Sequence, residues 1–252
     1  MKKVTLVVGI ITGVIISLLF ANQINAQDKV DESQYRAYLE KDPNPQVWRD
    51  AVKARHEDFR SKSGDSKIQY ALAVAQFGLL NSTMRSKDEN LFDEYYDQTV
   101  ENIKAIQDKN WAEPYALLSA VYGVKMGYSP MQGMFLGSKS NSLVEKAKTI
   151  DPNSPFAWKV YANSKYFTPE MWGGDLTEAI ASYEKCIQLY ESKPEQLKFN
   201  WLYLDALAFQ GQAYLKNGDK AKAIATYEKA LNVEPDFSWV KYSLLPKARG
   251  AK

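Results

Sequence analysis

Apolar positions along this chain recur at helical spacing. The clearest stretch is residues 204–237. Leu207 and Tyr214 stand seven residues apart, on one face of a helix. Ala223, Tyr227 and Ala230 recur at four and three, so they share a face of a second helix. Between them Asn217, Gly218 and Asp219 predict a tight turn, with Asp219 as the N-cap of the second helix. Pro235 then stops that helix. Upstream, residues 31–40 predict a short helix, stopped by Asp42-Pro43-Asn44-Pro45. Residues 45–60 carry Val47, Trp48, Val52 and Phe59 at helical spacing. A helix over 66–81 is followed by a polar linker, 82–88, and a helix over 89–108. The last of these has Phe92, Tyr95, Tyr96, Val100, Ile103 and Ile106 on its apolar face.

The helices come in pairs with a common internal spacing. In residues 204–237, Leu207, Gln210, Gly211 and Tyr214 precede Ala223, Tyr227 and Pro235. Residues 112–152 carry Tyr115, Leu118, Ser119 and Tyr122, then Ala147 and Pro152. Residues 155–194 carry Trp158, Tyr161, Ala162 and Lys165, then Ala179, Tyr183 and Cys186. These positions resemble the tetratricopeptide repeat (TPR), a helix–turn–helix of about 34 residues with a W-x2-L-G-x2-Y…A-x3-F…P pattern. The 204–237 unit fits without a gap, and only Leu207 and Gln210 depart from type. Gly211, lacking a Cβ, lets the two helices of that unit pack closely.

The resemblance implies an all-α fold, a TPR-type α-solenoid of about four helix hairpins, because one hairpin cannot bury its apolar face alone. The expected units are about 66–110, 111–153, 154–194 and 195–237. A helical segment over 27–63 precedes this array, which spans 64–245 in all. The first helix of the last unit is expected to start near Glu195. A capping helix over 238–245, with Trp239, Val240 and Leu244, covers the last unit, and Pro246 ends it before the tail 246–252.

Two turns exceed the family length, by about nine and about five residues. The first, GYSPMQGMFLGSKS at 127–140, reads as a structured loop rather than a helix because of Pro130, Gly133 and Gly137. The second is FTPEMWGGD at 167–175, where Asp175 can cap the next helix with Glu178 three residues on. With NWLYLDALAFQGQAY and DFSWVKYSLLP, these stretches are similar to a group of exported bacterial TPR proteins. That likeness implies fold and compartment and supplies no catalytic residue.

Residues 1–26 change the picture of location. Lys2 and Lys3 precede an apolar run of 17 residues, Val4 to Phe20, and Ala26 offers a small residue at a cleavage point before Gln27. The expectation is a cleaved signal peptide and a periplasmic or secreted chain. The alternative is an uncleaved N-terminal anchor, since the run is just short of a spanning helix. A lipoprotein is not expected, because the only cysteine is Cys186. The formal charge is +2, and without Lys2 and Lys3 basic and acidic residues are equal in number. That balance implies neither nucleic acid nor an anionic membrane as a partner.

Candidate chemistry is sparse. No phosphate loop, dinucleotide fingerprint, zinc-protease motif or C-x-x-C is present. One histidine, His56, and one cysteine, Cys186, exclude a Cys/His metal cluster, so no cofactor or metal is expected. Cys186 stands where the repeat wants a small buried residue. The neighbouring acids Glu57/Asp58 and Asp93/Glu94 do not face each other on a helix and read as solvated charge. What remains is binding. The long turns bring Met131, Met134, Phe135, Met171 and Trp172 to one edge of the array, with two readings: packing against neighbouring turns, or a partner surface. Thioethers also suit Cu(I), but no histidine or cysteine accompanies them. Lys159 and Asn163, at i and i+4 of a first helix, match the places where peptide-binding TPR arrays hold a C-terminal carboxylate. The second and fourth units have Ala116/Ala120 and Ala208/Gln212 there instead. The expected function is a non-enzymatic scaffold for a protein or peptide partner. The alternative is an accessory ligand-binding subunit of an envelope transport complex.

Overall fold

The computed structural model describes residues 28–40 and 45–250, and these form helices, turns and bends without a strand. The export segment expected at residues 1–26 lies outside the described residues. Two helices come before the array: α1 (28–39) and α2 (Pro45–Ser61). Four hairpins follow: α3 (Ser66–Ser86) with α4 (Glu89–Ala105), α5 (Glu113–Tyr128) with α6 (Gly133–Ile150), α7 (Pro155–Phe167) with α8 (Leu176–Glu191), and α9 (Trp201–Lys216) with α10 (Lys220–Val233). A π-helical stretch, Val240–Leu244, runs into the last helix, α11 (Leu245–Arg249).

Short polar side chains set the helix starts. Asp65, Asp88, Ser154, Asp175, Asn200 and Asp219 each accept a backbone N–H from the first turn of α3, α4, α7, α8, α9 and α10. Each such cap is worth about 1 kcal/mol and satisfies a donor that the helix leaves unpaired. The first helices α3, α5, α7 and α9 pack in sequence along one side, each against its own second helix. Small residues mark the close approaches. Ser119 and Ser140 exchange hydrogen bonds, each hydroxyl donating to the other's carbonyl at 2.8 and 3.0 Å, and so clasp α5 to α6. At Gly211 the ring of Tyr227, fully buried, occupies the space a Cβ would need.

Four local expectations differ from the structure. The linker expected at 82–88 is helical to Ser86, because Ser82 and Thr83 are buried and return their hydroxyls to the Leu79 and Leu80 carbonyls. The stretch 127–140 is helical for most of its length: α5 reaches Tyr128, one 3-10 turn spans Pro130–Gln132, and α6 begins at Gly133. Glycine lowers helix propensity by only about 1 kcal/mol, and Gly133 and Gly137 lie in a helix that packs on α5 further along. The first helix of the last unit starts at Trp201 rather than near Glu195. Pro194–Gln196 form a separate 3-10 turn, and Phe199 takes a left-handed φ of 53° that breaks the helix. Pro246 does not end the C-terminal helix. Leu245 N–H bonds to the Val240 carbonyl in a wider turn, which lets the ring sit near the start of α11. Val240, Leu244 and Leu245 are buried there.

The Tyr227–Gly211 contact predicts the cost of filling it. Gly211→Leu should lower stability by about 1–3 kcal/mol by overpacking. In a chain of this size that is a fall in Tm of roughly 2–4 °C per kcal/mol. An unchanged thermal melt would show that the α9–α10 approach is not tight.

Candidate functional site

The concave side of the array is closed. Trp201, at the start of α9, makes ring contacts with Tyr38 of α1 at 5.3 Å, Trp48 of α2 at 5.4 Å and Phe77 of α3 at 6.0 Å. Phe77 also meets Phe156 of α7 at 6.4 Å, edge to face. The inner faces of the first and last hairpins therefore touch, and α1 lies over the seam. Tyr35 and Tyr38 of α1 pack on Phe199 and Phe237 at 5.9 and 5.4 Å.

A buried charge pair sits in this seam. Lys159 Nζ is 2.6 Å from Asp205 Oδ2, and the Tyr38 hydroxyl donates to Asp205 Oδ1 at 2.6 Å. Lys159 is 2% exposed. The ammonium expected to meet a ligand's carboxylate is thus taken up by the chain's own Asp205. Asn163 accepts a hydrogen bond from the Tyr183 hydroxyl at 2.5 Å, so its carboxamide oxygen holds α7 to α8. Both side chains of the expected carboxylate clamp are thus engaged within the chain. Asp205, Tyr38 and Trp201 were not singled out from the sequence. The signal for Asp205 was present, as a lone acid inside the apolar run WLYLDALAF. A charge there has to be paired if the run is buried.

Burial pushes the Cys186 thiol far above its usual range, and Asp205 adds to the effect against the opposing pull of Lys159. Such a sulfur is a packing group rather than a nucleophile. His56 is half-buried on α2. Glu57, Asp58, Asp93 and Glu94 are exposed, and Asp93 pairs with Lys125 at 3.2 Å. Among the described residues no three His, Cys, Asp or Glu side chains group as metal ligands. No helix of those residues is long and apolar enough to cross a membrane.

The edge carrying the hairpin turns is different. Tyr128, at the end of α5, donates to Thr83 Oγ1 near the end of α3 at 2.8 Å. Phe167, at the end of α7, meets Phe209 of α9 at 5.5 Å. The first contact brings the ends of α3 and α5 together and the second sets the end of α7 on α9, and with the first helices packed in sequence the hairpin turns lie at one edge. Nine large apolar side chains are exposed among the described residues. Seven belong to this edge: Met84, Met131, Met134, Phe135, Phe167, Met171 and Trp172. The last six are between 61% and 83% exposed. The long turns therefore do not bury these side chains against one another, which was the packing expectation.

The second long turn is preorganised. Trp172 N–H and Gly174 N–H both bond to the Pro169 carbonyl, at 2.9 and 3.1 Å, and Asp175 N–H closes the loop on the Lys165 carbonyl at 3.0 Å. Gly173 supplies the φ of 94° that the tight return needs. Lys165 Nζ donates to the Gly173 carbonyl and pairs with Glu178 at 2.8 Å. Hydrogen bonds from Lys165 and then from Tyr161 hold the Glu178 carboxyl below its usual range. Met171 and Trp172 thus project from a fixed loop.

The profile of the tetratricopeptide repeat matches residues 173–193 and 204–237. Those two segments match the tetratricopeptide repeat. The matched segments are α8 and the α9–α10 hairpin, and the stretched turns lie outside or at the margin of the match. No curated protein sequence matches the chain. Two similar solved structures bear out the fold. A thermophilic TPR protein of Thermus thermophilus is 19% identical, with a TM-score of 0.56 over 82% of this chain and 91% of that one. The HusA haemophore of Porphyromonas gingivalis is 17% identical, with a TM-score of 0.51 over 71% of this chain and 91% of that one. The all-α TPR solenoid expected from the repeat spacing is the fold observed. Repeats of this kind build extended binding surfaces.

The buried pair gives a second stability prediction. Lys159→Met leaves Asp205 buried without its cation and should cost about 3–5 kcal/mol. Denaturant unfolding of the variant checks this. A loss below about 1 kcal/mol, the range of solvent-exposed pairs, would place Asp205 in contact with water.

Proposed function

We propose that this TPR chain is a non-enzymatic scaffold that binds a protein partner through the turn edge formed by Met131, Met134, Phe135, Phe167, Met171 and Trp172. The observation that carries the reading is the gathering of exposed Met and aromatic side chains on that edge while the concave side is filled by the chain itself. Apolar patches on an otherwise polar surface mark interaction sites, and aromatic and Met side chains are enriched at interface cores. A rigid turn presenting Trp172 lowers the ordering cost of association. The segment 1–26 supports export to the bacterial periplasm, with an anchored N-terminus as the other form.

A second reading has a specific observation behind it. Four exposed thioethers and three aromatic faces on one edge also suit a flat apolar ring, and one of the similar structures is a haemophore. In that case the chain captures a porphyrin-type ligand for an envelope transport system. Titrating haemin into the protein separates the two readings. A saturable Soret shift abolished by Met171→Ala favours the ligand, and no shift favours the protein partner.

For the leading reading, Trp172→Ala should leave the thermal melt within about 1 °C of the parent, because an exposed side chain contributes within about 0.5 kcal/mol. It should also abolish crosslinking of the partner in envelope extract. Unchanged melting together with unchanged capture would remove this edge from the function.

A further inference from the structure

The turn edge presents more apolar surface than a lone chain leaves in water. Met131, Met134, Phe135, Phe167, Met171 and Trp172 are each 61–83% exposed. At roughly 200 Å² for a residue of this size, they hold on the order of 800 Å² in solvent. The largest apolar patch of a monomer is about 300–600 Å². Each partner in a standard protein interface contributes about 800 Å². The edge has the size of one partner's share.

Charge is divided across it. Residues 126–138 carry no charge, and Lys139 follows Phe135 by one helical turn, on the same face. Residues 167–174 carry Glu170 alone, beside Met171. The neighbouring ions are already committed: Lys125 to Asp93, Lys165 to Glu178, and Asp175 to the first turn of α8. Lys139 and Glu170 are exposed and make no ion pair among the described residues. A free cation therefore marks the first long turn and a free anion the second.

The apolar side chains divide in the same sense. The first turn offers two thioethers and a ring, Met131, Met134 and Phe135, and the second a thioether and two rings, Met171, Phe167 and Trp172. Thioethers pack favourably against aromatic rings. A two-fold axis that lays the first long turn of one copy on the second of another pairs Lys139 with Glu170 and thioethers with rings, twice over. A two-fold contact requires this, because each patch has to complement its own image. Overall charge does not oppose the pairing, since basic and acidic residues are equal in number apart from Lys2 and Lys3.

We propose that the partner of the turn edge is a second copy of this chain, docked about a two-fold axis with Lys139 of each copy on Glu170 of the other. The proposal rests on the reading of the edge as a protein-binding surface, and names its occupant.

Sedimentation of the full chain tests it. The parent should form a dimer with a dissociation constant below about 10 µM, the weak end for an interface of this area. Lys139→Glu and Glu170→Lys each turn two attractions into two repulsions, and each should weaken the dimer by at least about tenfold. Mixed in equal amounts, the two variants bring opposite charges back to both contacts, so the mixed dimer should regain the parent's constant within about threefold. Trp172→Ala, lost from both copies, should weaken the dimer by about 100-fold. A chain that stays monomeric at about 100 µM overturns the proposal. So does a dimer that neither charge variant weakens, or one that their mixture fails to restore. The protein-partner reading is tested apart from this. A monomeric chain that loses capture of a different protein on Trp172→Ala overturns the second copy and keeps that reading, whereas a monomeric chain with unchanged capture removes both.

Discussion

The indole of Trp201 is the constraint on which the rest of the structure depends. A repeat array is normally held by contacts between neighbouring units alone. Here Trp201, in the last hairpin, meets Phe77 of the first, Trp48 before the array and Tyr38 of α1. Those contacts turn a quasi-linear stack into a closed one. They also bury Asp205, one turn further along α9, which has to be neutralised where water is excluded. Lys159 of α7 and the Tyr38 hydroxyl do that. The aromatic contacts fix the position, and the charge pair fixes the register of α7, α9 and α1 within it.

Closure decides which apolar surface stays open to solvent. A TPR superhelix usually offers its concave side, but here the first helices spend that side on one another and on α1. The exposed apolar surface is left at the turns. The reason is local. The extra residues of the long turns lengthen α6 at its start, and α6 has no fully buried side chain before Ser140. They also build a hydrogen-bonded loop at 168–175 whose carbonyls and amides satisfy one another. Neither addition has a neighbour long enough to cover it, so Met131, Met134, Phe135, Met171 and Trp172 stay in solvent.

Lys159 and Cys186 show where a partner changes the reading of a residue and where it does not. From spacing alone Lys159 looks like one half of a clamp on a helix surface. Burial at the contact between α7 and α9 makes it the counter-ion of Asp205. Cys186 is read the same way from sequence and structure, because a small residue is demanded there by the repeat itself. The burial of Gly211 against Tyr227 follows from the same demand.

The sequence by itself determined the helices, their pairing and the repeat. Those depend on short-range features: apolar residues at three and four, Asp and Ser caps, and small residues where two helices of one hairpin cross. It also marked the two long turns and the apolar side chains in them. It did not show that α6 begins as early as Gly133, because glycine weakens a helix by an amount that packing on α5 overrides. Nor did it show that Pro246 is absorbed in a π-helical turn, which only the burial of Val240, Leu244 and Leu245 rewards. The closed concave side was decided by tertiary structure alone. Tyr38 and Asp205 are 167 residues apart. No periodicity within a hairpin carries information about which distant helix will fill its inner face, since that follows from the curvature accumulated over all four units.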